Sequence, residues 1–209
     1  HLRNRLRIIS MAEEKLERIV ELLKNIKEEN HFIVYCGDGH LHDNTNEDIR
    51  HIEFVKQKLA LLGFKSSQFT ASENMAQRME LVDSFNEGAI DALAAIRCLD
   101  EGINIPSILG AMILSSNDDY REFVQRRGRI LRTYKDKTHA NIYDVIVLPS
   151  NNTPKMAEIE LRRFYEYARL AINHEVLLTQ IEDLASEYGL VLEDFIAKFD
   201  EENGDELDD

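Results

Sequence analysis

Hydrophobic positions recur along the chain in two alternating rhythms. Between residues 11 and 29, Leu16, Ile19, Val20, Leu23 and Ile26 fall on one side of a helix. Residues 32–36 form a continuous apolar run closed by Gly37, the pattern of a strand buried on both faces. After a polar loop over 38–46, the spacing of Ile49, Ile52, Val55, Leu59 and Leu62 predicts a second helix stopped by Gly63. Residues 67–70 predict a short strand. Thr70 and Glu73 then have capping-box spacing for a helix with Met75, Met79, Val82 and Phe85 inward. Apolar runs at 90–96, 110–114 and 140–148 predict further strands, with a loop through Gly102 and Pro106 and an Arg-rich helix over about 120–132 between them. Strands alternating with helices in this way imply right-handed βαβ units. The expected class is α/β, a mostly parallel sheet with helices on both faces.

The pattern changes after Pro149. The stretch to Pro154 reads as a linker, with Pro154 placed to open a helix, residues 155–199 are helical only, and 201–209 form an acidic tail expected to fray. Two domains follow: residues 1–150, of which 1–30 are a leading segment and helix, and a helical appendage over 151–209. With 209 residues, 44% of them hydrophobic, the chain can bury a real core. It has no apolar run long enough for a membrane span and no signal-peptide pattern, so the expectation is a cytoplasmic protein without a membrane partner. Cys36 and Cys98 lie in apolar runs and read as core packers in a reducing compartment. The chain opens on His1 rather than Met, which reads as a piece of something longer.

The net charge of −14 argues against nucleic-acid binding, but its distribution says more. Residues 121–137 carry seven basic side chains against two acids, whereas 182–209 carry twelve acids against one lysine. A basic stripe therefore lies on an acidic protein. Within that stripe, a helical wheel gathers Phe123, Val124, Ile130 and Leu131 on one face and Gln125, Gly128, Arg129 and Arg132 on the other. Gly128 leaves room for close approach, and Arg129 and Arg132 can both reach one anion with planar forks suited to phosphate. Arg127 projects from the apolar side and has to snorkel. A solvated basic helix, or an anchor for the acidic tail, is the plainer alternative. Two other features admit plain readings. His40, His42 and Asp43 can ligate a metal, but nothing fixes their geometry, so a flexible insertion is expected and no metal site is assigned. Phe164, Tyr165 and Tyr167 can stack on bases, yet Phe164, Tyr167 and Leu170 keep helical spacing with Ile159, which favours core packing.

Gln125-Arg126-x-Gly128-Arg129-x-x-Arg132 resembles motif VI of superfamily 2 helicases and translocases. Residues 95–106 (Ala-Ile-Arg-Cys-Leu-Asp-Glu-Gly-Ile-Asn-Ile-Pro) resemble motif V as found in restriction-enzyme-like members. Residues 32–36 resemble motif IV, and Gln77 and Arg78 with Leu81, Phe85 and Gly88 resemble the helix between them. Order and spacing agree over residues 15–148, roughly two-thirds of the chain.

The resemblance implies the second RecA-like lobe of a two-lobed motor, with ATP and Mg²⁺ bound mainly by an N-terminal RecA-like domain of the same protein. Arg129 and Arg132 would then be arginine fingers on the γ-phosphate. Gln125, Arg126 and Gly128 would shape the cleft, while Glu101, Gly102 and Asn104 would lie in the motif that contacts ribose and couples it to nucleic acid. Asn104 stands where the family more often has Asp and keeps a hydrogen bond to a ribose hydroxyl without a charge. Ile96 occupies the place of a phosphate-binding Thr, for which Arg97 is a substitute. Nucleic acid would lie across strand-end loops and helix N-termini, with Gly37, Thr70, Ser72, Arg78 and Arg97 as candidates. Their plain roles are capping for Thr70 and Ser72 and an exposed ion pair for Arg78.

The expected function is therefore the C-terminal motor domain of an ATP-dependent DNA helicase or translocase, RNA not excluded, from a restriction or defence system with nuclease or methylase subunits. It would be inactive alone, because no glycine is followed by lysine and the G-x-x-x-x-G-K-[ST] loop is absent. The competing reading is a non-catalytic nucleic-acid-binding or protein-interaction module that kept the fold. A self-contained nucleotidase using Asp100 and Glu101 to hold Mg²⁺ is a further alternative.

Overall fold

The computed structural model describes residues 13–26, 30–37, 40–42, 48–96, 104–114, 120–149 and 153–203. The chain divides into two compact units, His1–Asn117 with Val124–Val145 and Asp118–Phe123 with Ile146–Asp209. Among the described residues there are seven helices and seven strands.

In the first unit, helix α1 (Glu13–Asn25) precedes strand β1 (Phe32–Tyr35). Strands β2 (His40–His42) and β3 (Asp48–Arg50) lead to helix α2 (His51–Leu61), and β4 (Ser66–Phe69) to α3 (Met75–Asn86). Then follow β5 (Ala92–Ala95), β6 (Gly110–Ile113), α4 (Tyr120–Ile130) and β7 (Asn141–Asp144). Five strands form one sheet in the order β4-β5-β1-β6-β7, every pair parallel. This is the α/β sheet that the alternating apolar runs predict. Successive strand residues face opposite sides. Phe32, Val34 and Cys36 therefore meet Ile19, Leu23 and Ile26 of the α1 segment and Ile52, Val55 and Leu59 of α2, while Tyr35 lies on the side approached by α4.

Central position makes β6 intolerant of added bulk. A Cβ at Gly110 would stand 2.6 and 2.7 Å from the Phe32 ring and 3.3 Å from the Asn141 carbonyl. Phe32 is fully buried and cannot swing away. Gly110→Ala is therefore expected to destabilise the unit by about 2 kcal/mol in urea unfolding, through overpacking of a strand hydrogen-bonded on both sides. An unchanged midpoint would contradict this packing.

Three expectations are corrected here. The polar stretch read as a flexible loop holds an antiparallel hairpin, with His40 opposite Arg50, Leu41 opposite Ile49 and His42 opposite Asp48. Ile49 is thus a strand residue, and α2 begins only at His51 because Arg50 is extended (φ −65°, ψ 140°). Asp43 lies outside the described residues. At α3 the capping box is Asn74 with Gln77: Asn74 Oδ1 accepts from the Gln77 N–H at 3.0 Å and Gln77 Oε1 from the Asn74 N–H at 2.9 Å. Thr70 and Glu73 close the preceding turn instead. The inward stripe of α3 is then 78, 82 and 85, so Val82 and Phe85 are buried while Met75 (64% exposed) and Met79 (50%) face out.

The second unit is helical from Pro154 onward: α5 (Pro154–Ala168), α6 (His174–Glu187) and α7 (Leu192–Asn203). Pro154 opens α5 as predicted. The tail read as fraying from residue 201 continues α7 to Asn203. Leu161, Tyr165, Ala168, Ile181 and Ala185 form its core with Ile146 and Leu148, the end of the run read as one long strand. Tyr165 and Tyr167 are buried, but Leu170 lies past the end of α5 and is 62% exposed rather than packed. Glu160 and Arg163 form a buried two-pronged ion pair at 3.0 Å, and Glu160 also accepts the Val147 N–H, which ties the entering chain to α5. Among the described residues no helix is long and apolar enough to cross a membrane.

Candidate nucleotide and nucleic-acid site

The Arg-rich helix α4 sorts its side chains more finely than the wheel does. Arg126 (2% exposed) and Ile130 are the buried pair. The Arg126 guanidinium lies 4.7 Å from the centroid of the Tyr35 ring at the end of β1. A desolvated cation over an aromatic face is held by ring quadrupole and by packing of its stem. Leu131, assigned to the inward face, is instead 47% exposed, because it follows the last helical residue. Arg127 and Arg129 are half-buried, and Gln125, Gly128 and Arg132 are exposed. Among the described residues a Cβ at Gly128 would meet nothing within 4 Å, so none of them requires glycine there.

Arg132 and Asn104, 28 residues apart, are brought together: Arg132 Nη1 donates to Asn104 Oδ1. Asn104 is exposed, yet the chain just beyond it is anchored by buried Ile105, Ser107 and Ile108. A residue missed by sequence reasoning, Lys137, closes the helix end. Its Nζ donates to the carbonyls of Ile130 at 2.5 Å and Arg132 at 3.1 Å. A lysine shortly after a helix C-terminus is the recognisable signal for such a cap. Partial burial holds its ammonium below the usual lysine range.

Among the nucleic-acid candidates, Gly37 and Thr70 lie at the carboxyl edge of the sheet, where Gly37 follows β1 and Thr70 follows β4. The Gly37 N–H donates to Nδ1 of the fully buried His51 at 2.9 Å. Sequence carried no sign of His51, whose role depends on the hairpin that returns the chain to β1. Thr70 donates its N–H (2.5 Å) and hydroxyl (2.8 Å) to Glu73, and its Oγ1 lies 2.6 Å from Ser72 Oγ. Arg78, read plainly as an exposed ion pair, reaches inward: its Nη2 donates to the Thr70 carbonyl at 3.0 Å and its guanidinium lies 5.7 Å from the Phe69 ring centroid. Arg97, Glu101 and Gly102 lie outside the described residues, as does Cys98.

Two titrations follow from these surroundings. Burial pushes the Cys36 thiol far up, beyond the Ala95 hydrogen bond that lowers it, so it is an inert packer. At Glu73, burial raises the carboxyl pKa, but hydrogen bonds from the Thr70 N–H and hydroxyl and from Gln68 outweigh it, leaving it below the usual range. A depressed carboxylate stabilises the fold above its unfolded pKa and loses that contribution as pH falls through the folded pKa. Wild type should therefore exceed Glu73→Gln in urea midpoint at pH 7, with the gap closing towards pH 3. A gap that persists in acid would contradict this.

The described residues thus form a parallel α/β lobe that carries an arginine-bearing helix and polar groups at its strand ends. Residues 14–134, more than half of the chain, match the helicase conserved C-terminal domain, and the chain belongs to that family. It is 26% identical over 132 residues to the DNA 3'-5' translocase XPB2 of Sulfurisphaera tokodaii, covering 63% of this chain and 26% of that protein. It is 24% identical over 101 residues to putative helicase 22 of Sulfolobus islandicus filamentous virus, covering 47% of this chain and 18% of that protein. The chain thus matches about a quarter or less of these relatives' length. The C-terminal part of the Fun30 ATPase domain superposes with a TM-score of 0.53 at 18% identity, over 85% of this chain and 55% of that one. The fold is the RecA-like helicase C fold.

Proposed function

We propose that the chain is the second lobe of an ATP-driven DNA translocase or helicase, closing over a triphosphate and Mg²⁺ held by an N-terminal RecA-like lobe of the same protein. Arg129 and Arg132 neutralise charge on the transferring γ-phosphate. Gln125, Gly128, Asn104, Glu101 and Gly102 shape the cleft, and Arg126 fixes the helix that carries the fingers. DNA phosphates run across the carboxyl edge of the sheet, near Gly37, Thr70, Ser72 and Arg78, with Arg97 a further contact by resemblance, and closure couples them to the nucleotide. The chain alone does not hydrolyse ATP. The resemblance of residues 95–106 to motif V of restriction-enzyme-like members supports a restriction or defence system, in which nuclease or methylase subunits would be partners, and a cytoplasmic location is part of the same reading.

The observation that carries this reading is Gly128 of α4, exposed and with open space among the described residues where a Cβ would stand. Helix propensity favours almost any residue over glycine by about 0.5–1 kcal/mol, so a glycine in open space on a helix points to a surface that arrives from outside. The test is Gly128→Gln in the two-lobed protein that carries this chain. Thermal stability should hold or rise while DNA-stimulated ATPase falls at least about tenfold, the loss of about 1.4 kcal/mol of transition-state stabilisation. Full activity would contradict the reading and favour a non-catalytic module.

A further inference from the structure

We infer that Asn104 is a positioning residue that holds the Arg132 guanidinium at rest, on a mount whose fixed end is Lys137, and that arriving nucleotide displaces the amide. The inference rests on the reading of Arg132 given above.

The two ends of Arg132 are held differently. Its backbone is fixed, since Lys137 Nζ bonds the carbonyls of Ile130 and Arg132 on either side of Leu131. Its side chain is exposed, and among the described residues Asn104 Oδ1 is the single acceptor on the guanidinium. Asn104 is a firm post because buried Ile105 follows it and Ser107 Oγ donates to Asn86 Oδ1 at 2.5 Å. The chemistry of the post decides how it lets go. An amide oxygen has no net charge, so a phosphate oxygen, which makes a doubly charge-assisted bond, outcompetes it. A carboxylate at the same place would compete on nearly equal terms. Asparagine therefore gives pre-orientation without capture, and aspartate would turn the rest into a trap.

The resting contact is tested in this chain by nitrogen-15 relaxation of the Arg132 Nε–H. The account expects an ordered side chain in wild type and a mobile one in Asn104→Ala. Equal mobility in both would overturn it, whatever the chain's function. The release is tested in the two-lobed protein with Asn104→Asp, which keeps an acceptor for a ribose hydroxyl. Relative to wild type at each salt concentration, kcat/KM for ATP should fall about fivefold at low salt, in line with a pair worth about 1 kcal/mol. It should recover near 1 M salt, where the screening length is about 3 Å. In the Arg132→Ala background the same substitution should have no effect. A salt-independent loss, or one that persists without Arg132, would overturn the inference. Wild-type turnover by Arg132→Ala alone would instead count against the proposed function, and the relaxation result would still decide the resting contact.

Discussion

Arg126→Ala is expected to destabilise the first unit by about 3 kcal/mol, read as a lower urea midpoint and a lower Tm. The side chain is almost wholly buried with its guanidinium against the Tyr35 ring, so truncation removes a desolvated cation–π contact of about 2 kcal/mol and leaves a void where its stem packed. Arg126→Lys should recover only part of this, since an ammonium does not stack as a planar guanidinium does. Arg132→Ala, on an exposed side chain, should change stability by less than about 0.5 kcal/mol. The arginines of one short motif would thus divide between folding and chemistry. A loss below about 1 kcal/mol for Arg126→Ala would contradict the structural role.

The fold was legible because its three inner strands, β1, β5 and β6, are buried on both faces. A run such as Phe32–Tyr35 has no polar alternation, and three strands of this kind separated by helices leave few arrangements other than a covered parallel sheet, to which the more polar β4 and β7 add the edges. Periodicity failed where a charged side chain took an inward place. Arg126 and Arg78 each lie against an aromatic ring, which a wheel that ranks residues by polarity assigns to Met79 or Leu131. It failed again at the hairpin, because β2 and β3 are three residues each and too polar to register as strands. The capping box was displaced because Thr70 and Asn74 have equal local claims, and the turn that Glu73 closes with Thr70 delays the helix. The pairing of Arg132 with Asn104 was not legible, since it depends on how the chain before β6 returns to the end of α4. Lys137 was legible in principle, as a cation placed just beyond a helix end.

On the proposed function, Arg129 and Arg132 carry the largest expected effect on activity. A finger of this kind acts only as charge builds on the transferring phosphoryl group, so its loss lowers kcat far more than nucleotide affinity. Comparable groups contribute on the order of 10³-fold or more to turnover. Arg132→Lys should rescue little, because a point charge does not reproduce the planar fork. Since Arg132 is exposed and its carbonyl is held by Lys137, Arg132→Ala should remain folded, which separates chemistry from stability at that position. The deciding measurement is DNA-stimulated kcat for ATP hydrolysis by the two-lobed protein carrying Arg129→Ala or Arg132→Ala, with folding checked by thermal melts. The account predicts folded proteins whose kcat falls at least about 10²- to 10³-fold for each. Folded variants that turn over ATP at the wild-type rate would contradict it.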